Sequence, residues 1–268
     1  MITIPQNPMH PYLISRTIAL LFPFLLFSSC EVLQGVLGDL SSGGLSSTEI
    51  VQGLKAALEK GAKYAASNAS QKDGFLDNKV VDIRIPLPDK LQRVEKNIRK
   101  IPLVGDRVVD NFVTAINRGA EEAAKKAAPI FVDAITSMSV NDGVGILKGS
   151  DDAATNYLKR STSTQLTNAF KPVIKRALDQ TKATDYYNAL KKAISNFNRT
   201  PLVSKINVNI NELPVLEDYA TEKALEGLFT LVAREEKKIR DDPFGQSEQI
   251  IRKVFGSQKT STPSGGGN

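Results

Sequence analysis

The residues whose types and spacing could support chemistry in this chain are mostly carboxylates. Asn117 and Glu121 stand four residues apart, as do Arg118 and Glu122, and as do Glu236 and Arg240 farther on. Two acidic side chains about 5 to 9 Å apart across a cleft could cleave a glycosidic bond. The same spacing on an exposed helix gives only ion pairs worth a few tenths of a kcal/mol. If the helices carrying them pack together, Glu121, Glu122, Glu236 and Arg240 instead converge into one buried polar network that sets helix register, and this structural use is the preferred reading. A second candidate lies in a loop, where Asp142, Asp151 and Asp152 are accompanied by Thr155 and Tyr157. Hard cations need several such oxygens, but the spacing matches no calcium loop, and aspartates at helix starts cap free amides. No metal and no cofactor is expected. The run Gly143 to Gly149 has neither the P-loop nor the dinucleotide spacing and reads as a short helix and turn. Tyr157, Tyr186, Tyr187 and Tyr219 could stack on sugars, although amphipathic core edges are the commoner place for tyrosine.

Other chemistries depend on two side chains that occur once each, His10 and Cys30. Arg16, an apolar run from Ile18 to Phe27, and the small Ser28 and Ser29 precede Cys30 in the order of a secretory signal. The run is about half of the roughly 20 residues a membrane-spanning helix requires, and Pro23 interrupts it. The stretch from Leu25 to Cys30 resembles the bacterial lipobox, with Phe27 where leucine is usual. That resemblance implies cleavage before Cys30 and lipid attachment at its thiol. The expected mature protein then has no imidazole and no free thiol. Histidine bases, cysteine nucleophiles, the usual zinc ligand sets and disulfide staples all fall away.

The elements that would position these residues follow from periodicity. Residues 1–29 read as the signal peptide, 30–47 as a lipidated tether, 48–256 as one helical domain and 257–268 as a disordered tail. Ser46 and Glu49 have capping-box spacing ahead of a helix ending near Ala66. Val81, Ile83, Ile85 and Leu87 alternate with polar or proline residues, as do Ile206, Val208 and Ile210, which predicts that the two segments pair as a two-stranded β ribbon. Apolar residues at helical spacing predict helices over 89–101, 106–138 with a kink at Pro129, 142–147, 151–159, 164–181, 184–197, 216–240 and 247–255. The expected fold class is mainly α: a single domain of about eight helices, two of them long, with the small ribbon packed on them.

Several stretches carry a family resemblance: Ile83 to Pro88, Ile116 to Ala123, Asn141 to Gly143 with Ile146 to Gly149, Ala153 to Tyr157, Glu235 to Arg240 before Pro243, and Val254 to Gly256. In this order they resemble a bacterial family known only as domain of unknown function 4197, over about Leu54 to Gly256. Gly119 and Gly143 stand where the family pattern has alanine. The resemblance implies a helical envelope protein, often with a lipoprotein leader, and no activity.

Charge adds little. The balance of +6 is spread along the chain, so nucleic acid is not an expected partner. The expected function is a lipid-anchored cell-envelope protein that binds or scaffolds another envelope protein or a glycan, without catalysis. The expected location faces the periplasm from the outer membrane, ahead of the inner membrane. The alternatives are a carboxylate-dependent hydrolase of cell-wall glycan and a carrier of an apolar ligand between kinked helices.

Overall fold

The computed structural model describes residues 46–102, 105–200 and 206–242, together with Gln249, Arg252, Val254 and Phe255. Cys30, the expected tether up to residue 45 and the tail lie outside the described residues. Among the described residues the protein is mainly helical, with nine α-helices. They are α1 (Ser47–Ser70), α2 (Asp89–Gln92), α3 (Glu95–Arg99), α4 (Gly105–Ala124), α5 (Ala127–Thr136), α6 (Val140–Lys148), α7 (Ala153–Gln180), α8 (Ala183–Arg199) and α9 (Leu216–Asp241).

Four helices form a ring around the core: α4 packs on α7, α7 on α9, α9 on α1 and α1 on α4. Phe112 and Ile116 from α4, Phe170 and Ile174 from α7, Leu228 and Leu231 from α9 and Leu54 from α1 are all fully buried there. Helices α5 and α6 cover the seam between α1 and α7, and α8 covers α4 and α7. Val254 and Phe255, near the end of the chain, are buried in the same core.

Helix boundaries follow local chemistry. Ser46 and Glu49 close the α1 capping box, so that helix begins where the spacing predicts. The single long helix predicted over 106–138 is instead two, divided at Lys125 and Lys126. Pro129 then occupies the first turn of α5, where its missing N–H removes no intrahelical bond. Conversely, the two helices predicted over 151–159 and 164–181 are one. Ser161, Thr162 and Ser163 turn their hydroxyls back to the carbonyls of Tyr157, Leu158 and Lys159. The polar run that looked like a break therefore stays helical.

The predicted β ribbon does not form, and no strand is present among the described residues. The alternation at Ile83, Ile85 and Leu87 is real, because all three side chains are buried. Their segment does not pair with a strand, because helix side chains satisfy its backbone. Asn117 on α4, itself fully buried, accepts from the Ile85 N–H at 2.8 Å and donates to the Ile85 carbonyl at 2.8 Å. The Tyr219 hydroxyl on α9 bonds the carbonyls of Pro86 and Leu87. Ile206, the intended pairing segment, is held in the same way by Asn198 of α8, at 2.7 and 2.8 Å. One amide side chain presents the donor and acceptor that a neighbouring strand would offer, so each segment is satisfied where it lies.

The segment also needs space. Gly227 lies on α9 beneath it, and a Cβ there would stand 2.7 Å from the Phe75 ring and 3.1 Å from Ile83. Asp73 adopts a left-handed backbone, φ 67°, in the turn that delivers Phe75 to the core, and a Cβ on the following Gly74 would collide with the Asn68 carbonyl.

Replacing Asn117 by alanine strands a buried N–H and a buried carbonyl of Ile85. Its unfolding free energy should fall by roughly 2 to 4 kcal/mol, measured by urea denaturation. A loss below about 0.5 kcal/mol would show that Asn117 does not hold the segment.

Candidate functional site

The carboxylates singled out by spacing belong to two separate clusters. In the first, Glu121 is buried on α4 and its Oε1 accepts from the amides of Phe75 and Leu76 at 3.2 and 3.3 Å. Its Oε2 accepts from Arg118 at 2.7 Å, and the same guanidinium reaches Asp73 at 2.7 Å. Arg118 therefore pairs with Glu121 three residues on, not with Glu122. Hydrogen bonds from Arg118 to Glu121 and Asp73 raise its guanidinium pKa above the ordinary value, despite partial burial. Glu122 is exposed and pairs with Lys125 at 2.5 Å. Asn117, one turn before Glu121, completes this end of α4 by holding Ile85.

The second cluster sits on α9. Glu236 is buried and takes the amides of Ala154 and Thr155 at 2.9 and 2.8 Å, together with the Thr155 hydroxyl at 2.8 Å. Arg240 donates to it from Nε and from a terminal nitrogen, at 3.1 and 2.9 Å, and also reaches the Ile146 carbonyl at 2.9 Å. Helix α7 has no side-chain cap of its own from Asp152. Glu236, 81 residues from Thr155 in sequence, supplies that cap and places its charge at the positive end of the helix dipole. The single converging network expected from sequence is thus two networks, one on α4 and one on α9, with no hydrogen bond between Glu121 and Glu236. Neither carboxylate faces another across a groove: each oxygen is already engaged with backbone or arginine donors.

The loop candidates separate as well. Asp142 closes a capping box with Ser139 at the start of α6, and those hydrogen bonds hold its carboxyl below the ordinary value. Asp152 accepts from Ser150 at 2.6 Å, which with Asn156 lowers its pKa. Asp151 is exposed and lies 3.7 Å from Lys237. Among the described residues no group of three or more acidic, histidine or cysteine side chains could hold a metal ion.

The tyrosines are divided between core and surface groove. Tyr187 and Tyr219 are buried, with their hydroxyls on the carbonyls of Pro214 and of Pro86 and Leu87. Tyr187 also stacks on Phe112, ring centroids 5.5 Å apart. Burial pushes Tyr187 up to about 12 and raises Tyr219 as well. Tyr186 is half-buried against the core, and half-buried Tyr157 points its hydroxyl at the Ala134 carbonyl, 3.4 Å away.

What remains open lies between helices. Glu236 at Ala154 and the Lys171–Asp218 ion pair at 2.5 Å fix α7 and α9 antiparallel, with a groove of about 470 Å³ between them. Lys159 and Lys171 stand on the α7 side and Asp218, Glu222 and Glu226 on the α9 side, over a floor that includes Leu225 and Phe229. Twelve residues of helix from Lys159 to Lys171 span about 18 Å. Sequence reasoning missed this groove, because facing residues on its two walls are 47 to 70 positions apart along the chain and each wall alone resembles an ordinary solvated face. Asp73 as the third member of the Arg118 cluster was equally hidden, visible only as a turn residue before Gly74.

Two outcomes test these assignments. Glu236→Ala should lower stability by about 3 to 5 kcal/mol, as expected when Arg240 is left without its buried partner, whereas Glu122→Ala should change it by less than about 0.5 kcal/mol. Equal effects in chemical denaturation would refute the division between buried and exposed carboxylates. The second concerns alkali. An unfolded tyrosine loses its proton near pH 10, while folded Tyr187 keeps it until about 12. The neutral, folded form is therefore favoured fully below pH 10 and progressively less as pH rises to 12. Denaturation at pH 9 and pH 11 should show this loss, and Tyr187→Phe should reduce it.

A family model described as a protein of unknown function, DUF4197, matches residues 44–256. No curated protein and no solved structure matches the chain.

Proposed function

This chain belongs to the DUF4197 family of unknown function, and we propose that it is a lipid-anchored cell-envelope protein that acts by binding a protein partner in the groove between α7 and α9. The observation that carries this reading is the contrast between two sets of carboxylates. Glu121 and Glu236 are committed to backbone amides and arginines inside the fold. Glu222 lines an open groove opposite Lys159, over the apolar Leu225 and Phe229, and Glu226 beside it is held only by a surface ion pair with Lys223 at 2.7 Å. A surface that is apolar at its floor and carries opposite charges on its two rims suits an amphipathic helix of about three turns bearing both signs of charge. The anchor is read from the leader: Cys30 receives lipid before the leader is cleaved, and the segment to Ser46 tethers the helical body to a membrane of the envelope, facing the periplasm. Among the described residues no single helix is long and apolar enough to cross a membrane, so anchoring falls to the N-terminus in this reading.

Two measurements test it. Cells fed a clickable fatty acid should label the protein, and Cys30→Ser should abolish the label; an unlabelled wild-type protein refutes the anchor. A photo-crosslinking residue at Thr167, inside the groove, should give a discrete adduct in intact cells, while one at exposed Tyr64 should not. Lys159→Glu should weaken that adduct several-fold. Equal capture at both positions, or none at Thr167, refutes the groove as the binding surface.

A further inference from the structure

A second, more polar groove of about 390 Å³ opens where α6 crosses the start of α7, and it stands independently of the α7–α9 groove. Its floor is Gly145, in the middle of a nine-residue helix. Glycine there costs about 1 kcal/mol relative to alanine, so a packing reason is expected. Gly143 and Gly227 each have one, since an added Cβ would meet Val51 or Phe75 at 3.0 and 2.7 Å. At Gly145 an added Cβ meets nothing within 4 Å. The missing side chain leaves room in the groove and serves no contact within the fold.

The groups around that space are complementary to one kind of ligand. Arg160 is exposed at the groove and makes no ion pair with the described residues, the nearby Asp142 acting on it only through its field. It offers a planar, two-pronged donor suited to a carboxylate. Asp142 uses Oδ2 for both bonds to Ser139 and leaves Oδ1 as an open acceptor for a hydroxyl. Asn141 adds an exposed amide that can donate and accept, while the Asn156 amide beside Arg160 is engaged with Asp152. Tyr157 supplies a half-buried ring on the same wall. One cation beside one carboxylate tolerates a single negative charge and disfavours a polyanion. We infer that this groove is a binding site for a sugar acid, whose carboxylate meets Arg160 while its hydroxyls meet Asp142 and Asn141.

The test uses the full chain in detergent with galacturonate, N-acetylmuramate, galactose and acetate, read by saturation-transfer NMR and calorimetric titration. At least one of the two sugar acids should bind, with galactose and acetate at least tenfold weaker; which acid binds tells a uronic glycan from a muramyl one. Arg160→Gln should weaken binding at least tenfold. Gly145→Leu, which fills the groove floor, should abolish binding without lowering the melting temperature. Binding by neither acid, acetate or galactose binding as tightly as the acids, or unchanged affinity in both variants overturns the inference. Because neither variant touches Thr167 or the α9 wall, its failure leaves the crosslinking result at the other groove to stand or fall alone.

Discussion

Glu236 takes the first free amides of the longest helix, the hydroxyl of Thr155 and the guanidinium of Arg240, which in turn reaches the end of α6. A buried carboxylate survives in a protein interior only if donors surround it; here α7 and α9 supply those donors, and Arg240 ties a third helix, α6, to the cluster through the Ile146 carbonyl. The charge therefore fixes more than a contact. It sets where α7 begins, how α9 is rotated to present residue 236, and where α6 must end. Glu121 and Asn117 do the same for the non-helical chain between α1 and α2, holding the amides of Phe75 and Leu76 and both polar groups of Ile85. No described buried side-chain polar atom lacks a partner, so these anchors account fully for themselves.

This arrangement lets an almost wholly helical protein include extended chain in its core. Ile83, Ile85 and Leu87 contribute apolar area as a strand would, but their backbone is satisfied sideways by α4 and α9. The result is rigid, because each anchor is a hydrogen bond whose loss exposes a buried polar group. It also separates duties among like residues. Carboxylates that hold the fold are buried on the inner faces of α4 and α9, while the exposed ones line grooves on the α9 rim and at the start of α6.

Much of the helical framework was legible because apolar periodicity is a local property. Ser46 with Glu49, the stripe through Ile50, Leu54 and Leu58, and the start of the last long helix at Leu216 all appear where spacing places them. The breaks were harder to read. Pro129 fits without a kink once a new helix starts just before it, and Pro172 is carried inside α7. Whether a proline bends, ends or merely opens a helix depends on what packs around it, which no local pattern contains.

Residue types and spacing alone place Asn117, Glu121, Glu236 and Arg240 on two apolar-striped helices of a helical body, and make the segment around Ile85 extended with one buried face. These follow from residue type and period, which act over a few residues. What those residues hold is set by the packing of distant segments. A side-chain amide and a β-strand offer the same donor and acceptor to Ile85, so the alternation cannot say which will come. Nor can spacing say whether Glu121 and Glu236 meet: that depends on which face each helix turns toward its neighbours, and here the donors nearest each carboxylate are Phe75 and Leu76 for one and the start of α7 for the other.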